Sequence, residues 1–162
     1  MKEIVLAACT QIARIDDADF DVVSQYRWKL EKRGSKHYAV HYPDANDPTN
    51  KLRMHRLITD APSDAVVDHI DGDGLNNQRS NLRVCTQQEN NQNRRKVDGG
   101  TSRFKGVSFA KGRKKCWRAQ IRDGEKSQSL GYFATEDEAA RAYDDAARAQ
   151  YGEFAWLNCR RS

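Results

Sequence analysis

The stretch "RRKVDGGTS", residues 94–102, constrains this chain more than any other. It is basic, carries a glycine pair and is almost free of apolar side chains, so no core can run through it. A length of 162 residues allows one ordinary domain or two small ones, and this stretch predicts two. The halves differ in charge. Residues 1–93 carry 12 Lys/Arg against 14 Asp/Glu, and residues 94–162 carry 16 against 9. Between Arg94 and Arg122 stand 11 basic residues, with Asp98 as the one acid. So one-sided a block predicts a polyanion partner, nucleic acid first of all.

With 38% apolar and 31% charged residues, each module can bury only a small core. Cys9, Cys85, Cys116 and Cys159 lie far apart and form no C-x-x-C pair. That argues against a zinc ribbon or a secreted disulfide framework and suits a reducing cytoplasm. The apolar run before Cys9, residues 4–8, is too short for a signal peptide and reads as a strand. No run approaches a membrane span.

In the second module "CWRAQIR", residues 116–122, alternates strictly. Trp117, Ala119 and Ile121 point one way, and Arg118, Gln120 and Arg122 the other. "FKGVSF" and "SLGYF" supply two further strands. A helix follows, with Thr135 as N-cap, Glu138 completing a capping box, and Gly152 just past its end. Its stripe of Ala139, Ala142, Tyr143, Ala146 and Ala147 can lie close on a sheet. The first module reads as short strands over residues 4–8, 11–15, 27–30, 38–42 and 52–58. A short helix falls after the second of these, with Asp16 or Asp17 as its cap.

The chemistry concentrates in "VVDHIDGDGLNNQRSNLRVCTQQEN", residues 66–90. Two strands, residues 66–70 and 82–85, bracket a long polar loop. A helix capped by Thr86 and Glu89 follows. The loop's Gly72, Gly74, Asn76 and Asn77 tolerate unusual backbone angles. His69 and Asn81 are 12 residues apart, and Asn81 and Asn90 are 9 apart. A calcium loop is excluded, because His69 and Ser80 stand where the EF-hand needs Asp and Glu.

This pattern resembles the His-Asn-His (HNH) nuclease family, in the phage homing-endonuclease branch that has asparagine in place of the last histidine. The resemblance implies a ββα unit over about residues 65–93 that holds one Mg²⁺ or Mn²⁺ against a scissile phosphate. It implies Asp68 and Asn90 as metal ligands, His69 as the general base and Asn81 as the side chain that pins the loop and orients the histidine. A carboxylate and an amide oxygen suit such hard cations, and an imidazole titrating near neutrality can accept a proton from water. His55 in "MHRLI" is assigned to scaffold or phosphate contact. His37 and His41 read as ordinary histidines, and Arg83 as either a phosphate contact or a solvated side chain.

The pieces "FKGVS", "WRAQIR", "LGYF", "EDEAARAYDDAA" and "LN" resemble the apetala-two domain of ethylene-response-factor type. That likeness implies a three-stranded sheet that enters the DNA major groove, with a helix behind it. Arg118, Gln120 and Arg122 then face base edges, while Arg94, Arg95, Lys105, Arg113, Lys114 and Lys115 suit phosphates. Ser108 and Ser129 depart from the plant pattern, so no plant target sequence carries over.

The expected protein is therefore α+β. A β-rich nuclease module (1–93) precedes a basic linker (94–102), and a three-stranded antiparallel sheet backed by one helix (103–158) binds DNA. It is expected to be a metal-dependent homing endonuclease on double-stranded DNA, monomeric, away from membranes, and cytoplasmic in a bacterial host if phage-encoded. The alternative is a sequence-specific DNA-binding regulator with an inactive nuclease module. An RNA-binding role lacks the exposed aromatic pairs that stack single strands.

Overall fold

The computed structural model describes residues 1–96, 99–112, 114–124 and 126–159. The fold is mixed α+β, built on four small antiparallel sheets among the described residues. The chain divides into two compact units, Met1–Gln87 and Gln88–Ser162. The division falls ahead of the basic stretch expected to separate the modules.

In the first unit β1 (Lys2–Val5) pairs with β2 (Ile12–Ile15). A 3-10 turn at Asp17–Asp19 leads into α1 (Phe20–Val23). β3 (Lys29–Arg33), β4 (Lys36–His41) and β5 (Leu52–Arg53) form a meander in that order. α2 (Met54–Thr59) follows, then the hairpin of β6 (Val66–His69) and β7 (Leu82–Cys85). Leu6, Ile15, Val23, Trp28, Met54 and Leu82 share one buried cluster. The Trp28 indole satisfies its N–H on the Val23 carbonyl at 2.8 Å.

Two expectations for this unit are corrected. Residues 52–58 were expected as one strand, but only Leu52 and Arg53 pair, and the chain then turns helical. The turn buries Met54, His55 and Ile58 together, a helical spacing masked in the sequence by the apolar run. Asp16 precedes the first turn yet makes no capping bond. Its carboxylate instead accepts from Arg79 N (2.8 Å) and Gln78 Nε2 (3.2 Å), tying the polar loop to this corner.

The second unit takes in all but the first residue of α3 (Gln87–Gln92). β8 (Val107–Phe109), β9 (Trp117–Asp123) and β10 (Lys126–Phe133) form an antiparallel sheet with β9 at its centre. α4 (Glu136–Tyr151) lies against it. The capping box forms as the sequence predicts: Thr135 Oγ1 accepts from Glu138 N, and Glu138 reaches back to Thr135 N. Small alanines at 139, 140 and 147 bring α4 close to Val107, Ala119 and Ile121. Trp117 packs into this helix-facing cluster, as its place in the alternation predicts.

Gly106 is what lets this sheet begin. Its φ is +74°, and a Cβ there would lie 2.1 Å from the Tyr143 ring and 2.6 Å from the Gln120 carbonyl. At the far end Asp144, 1% exposed, accepts from the backbone N–H groups of Asn158 and Cys159 (2.7 and 2.8 Å). The Asn158 amide pairs with both backbone groups of Lys105 (2.7 and 3.0 Å). The closing "LN" of the resemblance thus acts as a clasp on the strand entry.

Candidate active site and nucleic-acid interface

β6 and β7 are held in a register that sets Asp68 opposite Arg83 and His69 opposite Leu82. The cross-strand pair is an ion pair: Arg83 Nε and Nη2 reach Asp68 Oδ2 at 3.0 and 2.7 Å. Asp68 is only 3% exposed and Arg83 11%, so little solvent screens them. Of the two readings open for Arg83, phosphate contact or solvated side chain, the second is therefore corrected. Its guanidinium serves the candidate metal ligand.

His69 closes β6 and is 5% exposed. Its Nε2 lies 3.4 Å from Asn77 Oδ1, and Asn77 is fully buried. The His55 ring stands edge-on to His69, with centroids 5.1 Å apart, and Tyr38 lies about 6 Å from both. Burial lowers the His69 pKa from its usual value, against the opposing pull of Asn77, Asp71 and Asp68. Burial, with the neighbouring His69 charge next, takes His55 down to about 3. Both imidazoles are therefore neutral at neutral pH. His55 is a buried scaffold ring, consistent with the first of its two expected roles.

Asn81 does pin the loop. Its Nδ2 donates to Asp71 Oδ1 (3.0 Å) and Asn76 O (2.8 Å), while its Oδ1 accepts from Asp71 N (3.0 Å). Asp71 also accepts from Asp73 N and Asn76 Nδ2, both at 2.8 Å. Burial pushes the Asp71 carboxyl up, but the bonds from Asn76, Asp73 and Asn81 outweigh it and hold the pKa low. The loop then docks on β2. Arg14 pairs with Asp73 (2.8 Å), Asn77 N donates to Arg14 O (2.7 Å), and Arg14 N donates to Leu75 O (2.8 Å). Arg79 forks onto the buried Asp19. Gly72 has the positive φ expected of the loop (+76°). Gly74 is needed for a different reason, since a Cβ there would meet His37 O at 2.3 Å and the Tyr38 ring at 2.7 Å.

Asp68, His69 and Asn81 thus come together on one hairpin, and Asn90 lies half-buried on α3. Sequence reasoning missed Asn77 as the partner of the histidine. Its only signal was a doubled asparagine inside a loop full of them.

The predicted nucleic-acid contacts lie in the second unit. Arg118 stands in a cross-strand row with Ser108 and Tyr132, and Arg122 pairs with Ser127. The small serines leave room for the arginines beside them. Arg118 is half-buried, with a shielded Nε that has no hydrogen-bond partner, whereas Arg122 is exposed. Lys114 and Lys115 are exposed in the turn before β9, and Arg113 lies outside the described residues.

Two of the predicted phosphate contacts, Arg95 and Lys105, have partners within the second unit. Arg95 stacks on the Trp156 ring at 4.9 Å. Lys105 donates to Gln92 O (2.6 Å) and Arg94 O (2.8 Å). Burial, with the nearby Arg94 charge, lowers the Lys105 pKa to about 8. Arg94 itself is exposed. The predicted role of Lys105 as a phosphate contact meets a finding here, because its ammonium already serves the C-terminal carbonyls of α3.

Known proteins carry the same patterns. A family model described as HNH endonuclease matches residues 60–92. An uncharacterized HNH endonuclease of Acanthamoeba polyphaga mimivirus is 35% identical over 143 residues, which is 85% of this chain and 69% of that protein. Protein 3.8 of Escherichia phage T7 is 38% identical over 60 residues, 37% of this chain and 49% of that one. Dehydration-responsive element-binding protein 2E of Oryza sativa subsp. japonica is 54% identical over 44 residues, 26% of this chain and 14% of that one. No solved structure matches. No described helix is long and apolar enough to cross a membrane. By the identity it shares with the mimivirus protein along most of both chains, this chain belongs to the HNH endonuclease family.

Proposed function

We propose that the protein is a homing-type endonuclease that hydrolyses phosphodiester bonds of duplex DNA with a divalent metal, Mg²⁺ or Mn²⁺. The observation that carries this reading is the buried, neutral His69 beside Asp68, held by Asn77 within the segment that the HNH family model matches. Residues 1–93 are the nuclease module, and residues 103–158 bring it to its target.

His69 takes the proton of the attacking water. His69 Nε2 faces Asn77 Oδ1, and a proton on Nε2 leaves Nδ1 as the basic nitrogen of the ring. Burial keeps the imidazole neutral, so the base needs no prior deprotonation at neutral pH. Asn81 acts at one remove, fixing residues 71–76 and with them the turn that follows the histidine. Arg83 orients the Asp68 carboxylate from the facing strand. Asp68 and Asn90 are the proposed ligands, because a carboxylate and an amide oxygen are hard donors of the kind Mg²⁺ takes together with substrate phosphate. Bound there, such a cation would neutralise charge that builds on the scissile phosphate. Arg118, Gln120 and Arg122 contact base edges, and Arg94, Arg95, Arg113, Lys114 and Lys115 contact phosphates.

The second reading is a DNA-binding regulator whose nuclease module is silent. One observation favours it: Arg83 already neutralises Asp68. Supercoiled plasmid incubated with the protein and Mg²⁺ separates the two. Nicked or linear product supports the endonuclease; retarded but uncut plasmid supports the regulator.

A further inference from the structure

The second unit holds a cleft of about 700 Å³ beside β9. It exists because β8 is short. Gln120 N still finds a partner in Gly106 O at 2.8 Å, but β8 does not continue past that point on this edge of β9. The next carbonyl along, that of Arg122, is taken by the side chains of Gln150 and Tyr151 from α4. The cleft gathers Arg94, Lys105, Gln120 and Arg122, four of the residues predicted one by one to meet DNA. Its other wall is α3, which contributes Gln88, Asn91 and Gln92. Those three are spaced i, i+3, i+4, so they form a single face of the helix made wholly of amides.

The chemistry of the lining narrows the occupant. Three cations, four amides and two tyrosines line the space, and no carboxylate is among the described lining residues. Neither Arg94 nor Arg122 forms an ion pair among the described residues. Lys105 is anchored by two carbonyls, so its charge is fixed in position. Cations suit phosphodiester oxygens, and amide N–H groups donate to the same oxygens.

We propose that this cleft is a nucleic-acid subsite in which the amide face of α3 and the end of β9 grip one segment of duplex backbone. Gln88 and Asn91 thereby join the DNA contacts of the sheet. The inference rests on the reading of the second unit as DNA-binding, and it accounts for the run of amides in "TQQENNQN", which the nuclease pattern alone uses only at Asn90.

The test uses the full chain without divalent metal, with binding to a fluorescein-labelled mixed-sequence duplex followed by anisotropy across a salt series. Arg94→Ala should reduce the slope of log affinity against log salt by about one. Gln88→Ala with Asn91→Ala should weaken binding by roughly tenfold, as loss of hydrogen bonds to an anion does. Circular dichroism on each variant checks folding, and Arg94→Lys, which keeps the charge, should retain the wild-type slope. Wild-type affinity in the alanine variants, with weakened binding for Arg118→Ala on the sheet face, overturns the cleft and leaves the DNA reading standing. If Arg118→Ala binds as wild type too, both fall. Displacement of the duplex by inorganic phosphate or a mononucleotide at equal phosphate concentration would also overturn the proposal, because the cleft would then be a site for free phosphate.

Discussion

At the scale of residues, the candidate site depends on a buried amide facing a buried imidazole. Asn77 Oδ1 lies 3.4 Å from His69 Nε2, and its removal takes away the contact that holds the ring there. Asn77→Ala should slow plasmid cleavage by roughly tenfold or more, short of the roughly 10²–10⁴-fold that loss of the general base itself would cost. Asn77→Asp, which keeps an acceptor, should recover part of the rate. Cleavage at the wild-type rate in Asn77→Ala would mean that something else orients the base. The same burial has a stability consequence. His55, with a pKa lowered to about 3, and His69, also lowered, bind fewer protons folded than unfolded. Their contribution is complete above the unfolded value of about 6.5 and is lost as pH falls below it, at on the order of 1 kcal/mol per pH unit for each histidine. Urea denaturation between about pH 7.5 and 5 should therefore show falling stability before ordinary carboxylates begin to protonate. A flat profile over that window would contradict the burial of both rings.

Elements show where the sequence could be read and where it could not. The capping box at Thr135, the alternation through β9 and the β6–β7 hairpin are local patterns, and each forms where the residues predict. What escaped depends on residues distant in the chain. The Asp68–Arg83 pair joins positions 15 apart, and the Asp19–Arg79 fork joins positions 60 apart. Residues 54–59 escaped for a different reason, because a short apolar run fits strand and helix alike until packing selects Met54, His55 and Ile58. At the candidate site, His69 and Asn81 stood out through the family resemblance, whereas Asn77 was one asparagine among several. Gly106 belongs to this scale as well, since the start of β8 and the floor of the cleft both need its left-handed backbone. Gly106→Ala should cost on the order of 3 kcal/mol, combining backbone strain with the clash on Tyr143. Thermal melting reads this directly: an unchanged midpoint would show that the sheet accepts a side chain there.

At the scale of the whole molecule the chain divides into two compact units, Met1–Gln87 and Gln88–Ser162. Arg94, Arg95 and Lys96 belong to the second unit, where Lys105, Trp156 and Ser102 receive them. These three basic residues thus belong to the unit proposed to bind DNA. If cleavage and binding are separate duties, removing the base should remove chemistry and leave binding alone. The decisive measurement compares wild type with His69→Ala in two assays on the same preparations, plasmid cleavage with Mg²⁺ and duplex affinity without it. We predict cleavage lost by at least about 10²-fold and affinity unchanged. Cleavage by His69→Ala near the wild-type rate would contradict the account.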